Sequence, residues 1–110
     1  MNPWLLLAVA IGSEVVATSA LKASDGFTRL WPALIVVAGY AVSFFFMALA
    51  LRYIPIGIVY AVWAGVGIVL IASVGWLLFG QQLDLPALAG MLLIVSGVVV
   101  IRVFSKAADL

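Results

Sequence analysis

The sequence predicts an all-α membrane protein with four transmembrane helices per chain, and two observations lead to this fold class. First, 68% of the 110 residues are hydrophobic and only 8% are charged, whereas a soluble domain is about half apolar and about a quarter charged. A soluble protein of this length has too little interior to bury so much apolar surface. Second, the apolar residues form runs long enough to cross a bilayer core of about 30 Å, which takes about 20 helical residues.

Four runs meet this length requirement, at about 4–21, 32–51, 56–79 and 86–104. The first run lacks a basic segment before it and contains an acid, so we expect a retained span and not a signal peptide. Pro55 is well placed to start the third helix, because proline is favoured at helix N-termini. The polar separators are too short to fold alone, so residues 1–110 are expected to form a single transmembrane domain.

The composition also excludes several classes of function. A net charge of +1 gives no basic field that would attract nucleic acid. The chain has no Cys and no His, which excludes disulfides, thiol chemistry and the common zinc sites. No nucleophile–base pair stands out, so we expect neither an enzyme nor a bound metal or cofactor.

The first span carries the one acid at membrane depth. Glu14 lies ten residues after Trp4, about 15 Å into the helix and near the bilayer midplane. An ionised group there costs about 2.5–3.5 kcal/mol on insertion scales, and such acids usually mark ion or substrate paths. We therefore predict that Glu14 binds protons and cations; the alternative is a protonated Glu that hydrogen-bonds a neighbouring helix. Its helical neighbours are expected to line a cavity, or else to pack helices together: Leu7, Ala10, Ile11, Ala17 and Thr18.

Aromatic residues in the second and third spans are predicted to bind substrate. Tyr60 and Trp63 are three residues apart and share a helix face, and Trp63 lies deep in the apolar run although tryptophan prefers the interface. Aromatic faces attract cations by up to about 2 kcal/mol when desolvated. Tyr40 and Phe44, one turn apart in the second span, are expected to complete the aromatic wall. Packing of the aromatic rings is the alternative.

Two further sets complete the candidate residues. Gly65, Val66 and Gly67, here called the glycine segment, predict a flexible bend in the third helix. The fourth-span face predicts close helix packing and consists of Gly90, Ile94, Gly97 and Ile101.

Taken together, these residues resemble the small multidrug resistance family of proton-coupled exporters, over essentially the whole chain. The matching segments are MNP at 1–3, EV at 14–15, GFTRLWP at 26–32, YIP at 53–55, YAVWAGVGIVL at 60–70, FGQ at 79–81 and LDLP at 83–86.

The resemblance implies an antiparallel homodimer in the bacterial inner membrane, with both copies of Glu14 facing one cavity where protons and hydrophobic cations compete. The family's aromatic substrate contacts correspond to Tyr40, Tyr60 and Trp63. Its flexible segment corresponds to the glycine segment, and its dimer contact to the fourth-span face. The implied function is proton-coupled export of aromatic and quaternary ammonium cations, which confers multidrug resistance.

Three positions bear on the branch of the family. Guanidinium exporters typically carry Trp where this chain has Val16, which favours the multidrug branch. Ala64 stands where many multidrug members have Ser, and Trp4 where Tyr is common. An exporter of guanidinium or small polyamines, and a non-transporting membrane subunit in which Glu14 docks a partner helix, are the alternatives.

The basic residues of the loops are nearly balanced across the membrane. Four spans place Arg52, Arg102 and Lys106 on one side and Lys22 and Arg29 on the other. Lys and Arg in short loops set orientation, so a difference of three against two permits insertion in both directions. A single orientation set by weaker signals is the alternative.

We expect added lysines to bias this orientation. Two Lys inserted after Lys106 should place both termini in the cytoplasm, and two inserted beside Arg29 should give the opposite orientation, because short-loop Lys and Arg are retained on the cytoplasmic side. A topology reporter fused to the C-terminus checks this. The same orientation in both variants would show that loop charge does not decide the topology.

Overall fold

The computed structural model describes residues 2–108, and the described chain is helical with short connections. Its helices are α1 (Pro3–Ala23), α2 (Leu30–Ala50), α3 (Ile56–Phe79) and α4 (Leu85–Phe104), followed by a single 3₁₀ turn at Lys106–Ala108. All four α-helices are long and apolar enough to cross a membrane. The all-α fold class is therefore confirmed, and each helix end lies within two residues of its expected position. The last two residues of the tail lie outside the described part.

Side-chain caps define where two of the helices begin. The Asn2 side chain accepts the backbone N–H of Trp4 at 2.8 Å, with Pro3 in the first helical turn. The Asp84 carboxylate accepts the backbone N–H of Ala87 at 3.0 Å. Each cap satisfies an N–H group that has no partner inside the helix.

Helix α3 ends at a glycine for a conformational reason. Gly80 has φ +65°, the left-handed region that glycine adopts without strain. The next backbone N–H, of Gln81, bonds back to the carbonyl oxygen of Gly75 at 3.0 Å. This bond spans seven residues and pairs the first N–H beyond Gly80 with the last turns of α3.

The loop between α1 and α2 is organised by Ser24, which is fully buried. Its carbonyl oxygen accepts the N–H groups of Thr28 at 2.9 Å and Arg29 at 3.1 Å, and its hydroxyl oxygen accepts that of Phe27 at 3.0 Å. Residues 25–27 all have positive φ, at 49°, 68° and 67°. The loop thus turns through a left-handed segment and pairs its backbone groups internally.

The chain divides after Arg52 into two compact units, and each is described by itself. The first unit holds α1 and α2, and the second holds α3 and α4. The single transmembrane domain expected from the sequence stays a prediction.

Small residues allow α1 and α2 to approach closely. A Cβ atom built on Gly39 would lie 2.8 Å from the Cβ of Ala17 and 3.2 Å from the carbonyl oxygen of Ser13. Such contacts favour small side chains, because lipid tails supply no hydrophobic drive between helices. Leu7 and Ile11 of α1, on the N-terminal side of this level, are also buried.

A second close contact joins α3 and α4. A Cβ atom on Gly65 would overlap the side chain of Val98. Gly65 is buried, whereas none of the α4 residues, all of which the structure describes, is buried. Val98 therefore fills the space left by the missing side chain of Gly65.

We expect Gly65→Ala to destabilise this contact by about 1–3 kcal/mol, the usual range for overpacking. Val98→Ala in the same chain should restore most of the loss, because it removes the overlapping methyl groups. Thermal unfolding of the purified protein in detergent measures both effects. Gly57→Ala is the matched control in α3, since its Cβ would meet nothing within 4 Å. Equal losses at Gly65 and Gly57 would argue against the contact.

Candidate functional site

Glu14 lies at the middle of a membrane-spanning helix. In α1, which runs from Pro3 to Ala23, the central residue is 13, so Glu14 is one residue past it. A helix of 21 residues is about 31 Å long, close to the thickness of the bilayer core. The carboxylate is half-buried in the described chain. At this depth the lipid supplies no hydrogen-bonding partner for the carboxylate.

Two hydroxyl groups, one after the other, form a hydrogen-bond chain that starts at this carboxylate. The Thr18 hydroxyl donates to Glu14 Oε1 over 2.6 Å, and Thr18 Oγ1 also lies 2.7 Å from the hydroxyl oxygen of Tyr40. Thr18 is one helical turn beyond Glu14 on the same face of α1. Tyr40 is the central residue of α2, which runs from Leu30 to Ala50. The three polar groups therefore form a connected chain at mid-membrane.

A second hydrogen bond between the two helices lies on the other side of Glu14. The Ser43 hydroxyl, fully buried, donates to the carbonyl oxygen of Ala10 over 2.7 Å. In a regular helix that carbonyl also accepts the backbone N–H of Glu14. The side-chain bonds at Ala10 and Thr18 thus fix α2 against α1 one turn below and one turn above the carboxylate.

An aromatic pair continues from Tyr40 along α2. The ring of Tyr40 stacks on that of Phe44, with centroids 5.8 Å apart and planes inclined by 30°. Phe44 is 56% exposed, so one ring of the pair is open to a further group. Exposed aromatic faces attract organic cations.

The residues expected to line a cavity around Glu14 differ in exposure. Thr18 is half-buried and contacts Glu14 directly. The other four are buried in the described chain, namely Leu7, Ala10, Ile11 and Ala17. Their place in a substrate cavity stays a prediction.

The other aromatic candidates belong to the second unit. Tyr60 is 78% exposed and Trp63 is half-buried. The glycine segment lies within the continuous helix α3, with Gly65 and Gly67 buried and Val66 exposed. Contact of this unit's aromatic residues with Glu14 stays a prediction, as does the bend.

The fourth-span face is open in the described chain. A Cβ on Gly90 or Gly97 would meet nothing within 4 Å, and Ile94 is 43% exposed. Ile101, on the same face, is half-buried. This surface has room for another helix, and its role in a dimer stays a prediction.

Two features of the site were not predicted from the sequence. Ser43 was not among the candidates, and neither was the pairing of Tyr40 with Thr18. The signal was present, because Ser43 is a hydroxyl residue in the middle of an apolar run, three residues after Tyr40 on the same face. Polar groups at that depth need partners on neighbouring helices.

Comparison with known proteins decides the family. The family described as Small Multidrug Resistance protein matches residues 2–94. The chain belongs to the small multidrug resistance family. It is 59% identical to the quaternary ammonium compound-resistance protein QacF of Klebsiella aerogenes, over 106 residues that cover 96% of each chain. It is 52% identical to the multidrug transporter EmrE of Escherichia coli strain K12, again over 96% of each chain.

A more distant relative shows how far the similarity extends. The quaternary ammonium compound-resistance protein QacG of a Staphylococcus strain is 38% identical over 103 residues, which cover 94% of this chain and 96% of QacG. Membership in this family, with four membrane-spanning helices, identifies a multi-pass protein of the bacterial inner membrane.

We expect Ser43→Ala to weaken the contact of α1 with α2 by about 0.6–1.5 kcal/mol, the range for a hydrogen bond between membrane helices. Unfolding in mixed detergent micelles, followed by circular dichroism, measures the change in free energy. Ser96→Ala is the control, because that hydroxyl bonds to Leu92 within its own helix. Equal effects at the two positions would show that the Ser43 bond does not join the helices.

Proposed function

We propose that this protein is a proton-coupled antiporter that exports lipophilic aromatic and quaternary ammonium cations and so confers multidrug resistance. The observation that carries the proposal is the Glu14 carboxylate, half-buried at the middle of α1 and bonded to the Thr18 hydroxyl. Relatives similar over nearly the whole chain are named for resistance to quaternary ammonium compounds and for multidrug transport. The same chemistry is proposed here for this chain.

The proposed cycle uses one carboxylate for two ligands in turn. Ionised Glu14 attracts a lipophilic cation from one side of the membrane, and the rings of Tyr40 and Phe44 add dispersion and cation–π attraction. A proton entering from the other side neutralises the carboxylate and removes the charge that holds the cation. Tyr60 and Trp63 are proposed to complete the aromatic wall around the cation. The cycle breaks no covalent bond, so the protein is proposed to be a transporter and not an enzyme, without a cofactor.

The working unit is proposed to be an antiparallel homodimer, in which two copies of Glu14 share one cavity. The open fourth-span face supports pairing, because it leaves small residues where a second helix fits closely. The near balance of loop basic residues, three against two, supports insertion in both orientations. The fourth-span face is the proposed contact between copies.

Experiments can distinguish two alternatives from this proposal. An exporter of guanidinium or small polyamines would move those cations in vesicles but give no resistance to an aromatic cation such as ethidium. The side chain of Val16, 55% exposed, adds no aromatic surface beside Glu14. A non-transporting subunit would move nothing when purified alone, whereas the proposed antiporter exchanges ethidium for protons in vesicles that contain only this chain.

We expect Glu14→Gln to abolish uptake of ethidium driven by a pH gradient in vesicles. The amide keeps the size of the side chain and accepts the Thr18 hydrogen bond, but it carries neither the charge nor the exchangeable proton. Uptake should fall to the level of vesicles without protein, while circular dichroism stays helical.

The matched control is Asp25→Asn, the same change in the exposed loop between α1 and α2. Asn tolerates the positive φ of this position, so transport should persist. Gradient-driven uptake by Glu14→Gln would mean that another group couples the proton to the cation.

A further inference from the structure

The hydrogen-bond chain from Tyr40 through Thr18 to Glu14 has a direction that the charge of Glu14 determines. Its two distances are 2.6 Å from Thr18 to Glu14 and 2.7 Å from Thr18 to Tyr40. A threonine hydroxyl has one hydrogen to donate, and an ionised carboxylate only accepts. With Glu14 ionised, Thr18 therefore donates to Glu14, and Tyr40 has to donate to Thr18.

We propose that Thr18 is a positioning residue that transmits the charge state of Glu14 on α1 to the hydroxyl of Tyr40 on α2. The inference rests on the proposed function, because it concerns the same carboxylate. A protonated Glu14 has an O–H of its own and no longer requires the hydrogen of Thr18. The orientation of the Tyr40 hydroxyl is then no longer fixed. Protonation of Glu14 on α1 thus changes the hydrogen bonding of Tyr40 on α2.

The hydrogen-bond chain from Tyr40 to Glu14 also affects the competition between proton and cation at Glu14. A hydrogen bond to a charged group is about twice as strong as one between neutral groups. Linked donors strengthen one another. Losing the Thr18 hydroxyl therefore removes a hydrogen bond that is stronger when Glu14 is ionised than when it is neutral. Its loss should help the proton compete with the cation.

No other titratable group of this unit lies at the same depth among its described residues. The only titratable side chain of α2 is Tyr40 itself. On α1, Lys22 lies eight residues beyond Glu14, about 12 Å along the helix axis. The remaining charged residues of the unit belong to the loops at the helix ends, namely Asp25, Arg29 and Arg52. Thr18 and Tyr40 are therefore the polar neighbours through which the unit acts on Glu14.

The test measures ethidium binding to the purified full chain as a function of pH, and the midpoint is the pH at which binding is half its high-pH value. Thr18→Val keeps the shape of the side chain and removes the hydroxyl. We expect its midpoint to move up by about 1 pH unit, because the hydrogen bond is stronger to the ionised than to the neutral carboxyl by roughly the free energy of one pH unit. Any loss of affinity well above the midpoint should be smaller than the loss near the wild-type midpoint. Thr18→Ser, which retains the hydroxyl, should keep the wild-type midpoint.

A control and a double variant separate this role from general packing. Ser19→Ala removes the neighbouring hydroxyl, which bonds to Val15 of its own helix, and should leave the midpoint in place. Tyr40→Phe keeps the ring and should raise the midpoint by less than Thr18→Val does. The double variant Thr18→Val with Tyr40→Phe should match Thr18→Val alone, because Tyr40 acts only through Thr18.

Three results would overturn the proposal: an unchanged midpoint in Thr18→Val, an affinity that falls equally at every pH, or additive shifts in the double variant. The second would mean that Thr18 only packs the helices. Failure of the proposed function looks different, because wild-type protein would then release no proton when ethidium binds. Proton release by the wild type, with an unmoved midpoint in Thr18→Val, rejects this inference alone.

Discussion

Lipid offers no hydrogen bonds at the depth where Glu14, Thr18 and Tyr40 lie, so their polar atoms depend largely on partners inside the protein. An unpaired polar group in hydrocarbon costs several kcal/mol. This constraint accounts for the short bonds between α1 and α2, from Thr18 to Tyr40 and from Ser43 to Ala10, one turn on either side of the carboxylate.

Close packing by small residues makes that network possible. The contact between Gly39 and Ala17 brings the two helix axes near enough for short side chains to bridge them. The hydroxyls of Ser43 and Thr18 reach across only a few ångströms, so a larger residue at this contact would separate donors from acceptors. The close contact of small residues and the hydrogen bonds between α1 and α2 therefore depend on each other.

Much of the architecture was predictable because membrane spans leave a strong signal. Long apolar runs predicted the positions of the helices, and Pro55 predicted the start of α3. The position of Glu14 at mid-membrane followed from counting residues along one helix. Its partners did not follow, because a single sequence gives the faces of each helix but not which face meets which neighbour. Ser43 was visible only as a hydroxyl within an apolar run, and its acceptor on α1 required the three-dimensional arrangement.

The loop around Ser24 has a consequence for how the chain enters the membrane. A connecting segment that crosses the bilayer during biogenesis has to carry its peptide groups through hydrocarbon. Here the backbone N–H groups of Phe27, Thr28 and Arg29 are already paired with Ser24, inside a turn of a few residues. The loop is therefore a compact hairpin tip in which these three backbone N–H groups are already hydrogen-bonded. Such a tip lowers the cost of carrying these peptide groups through hydrocarbon.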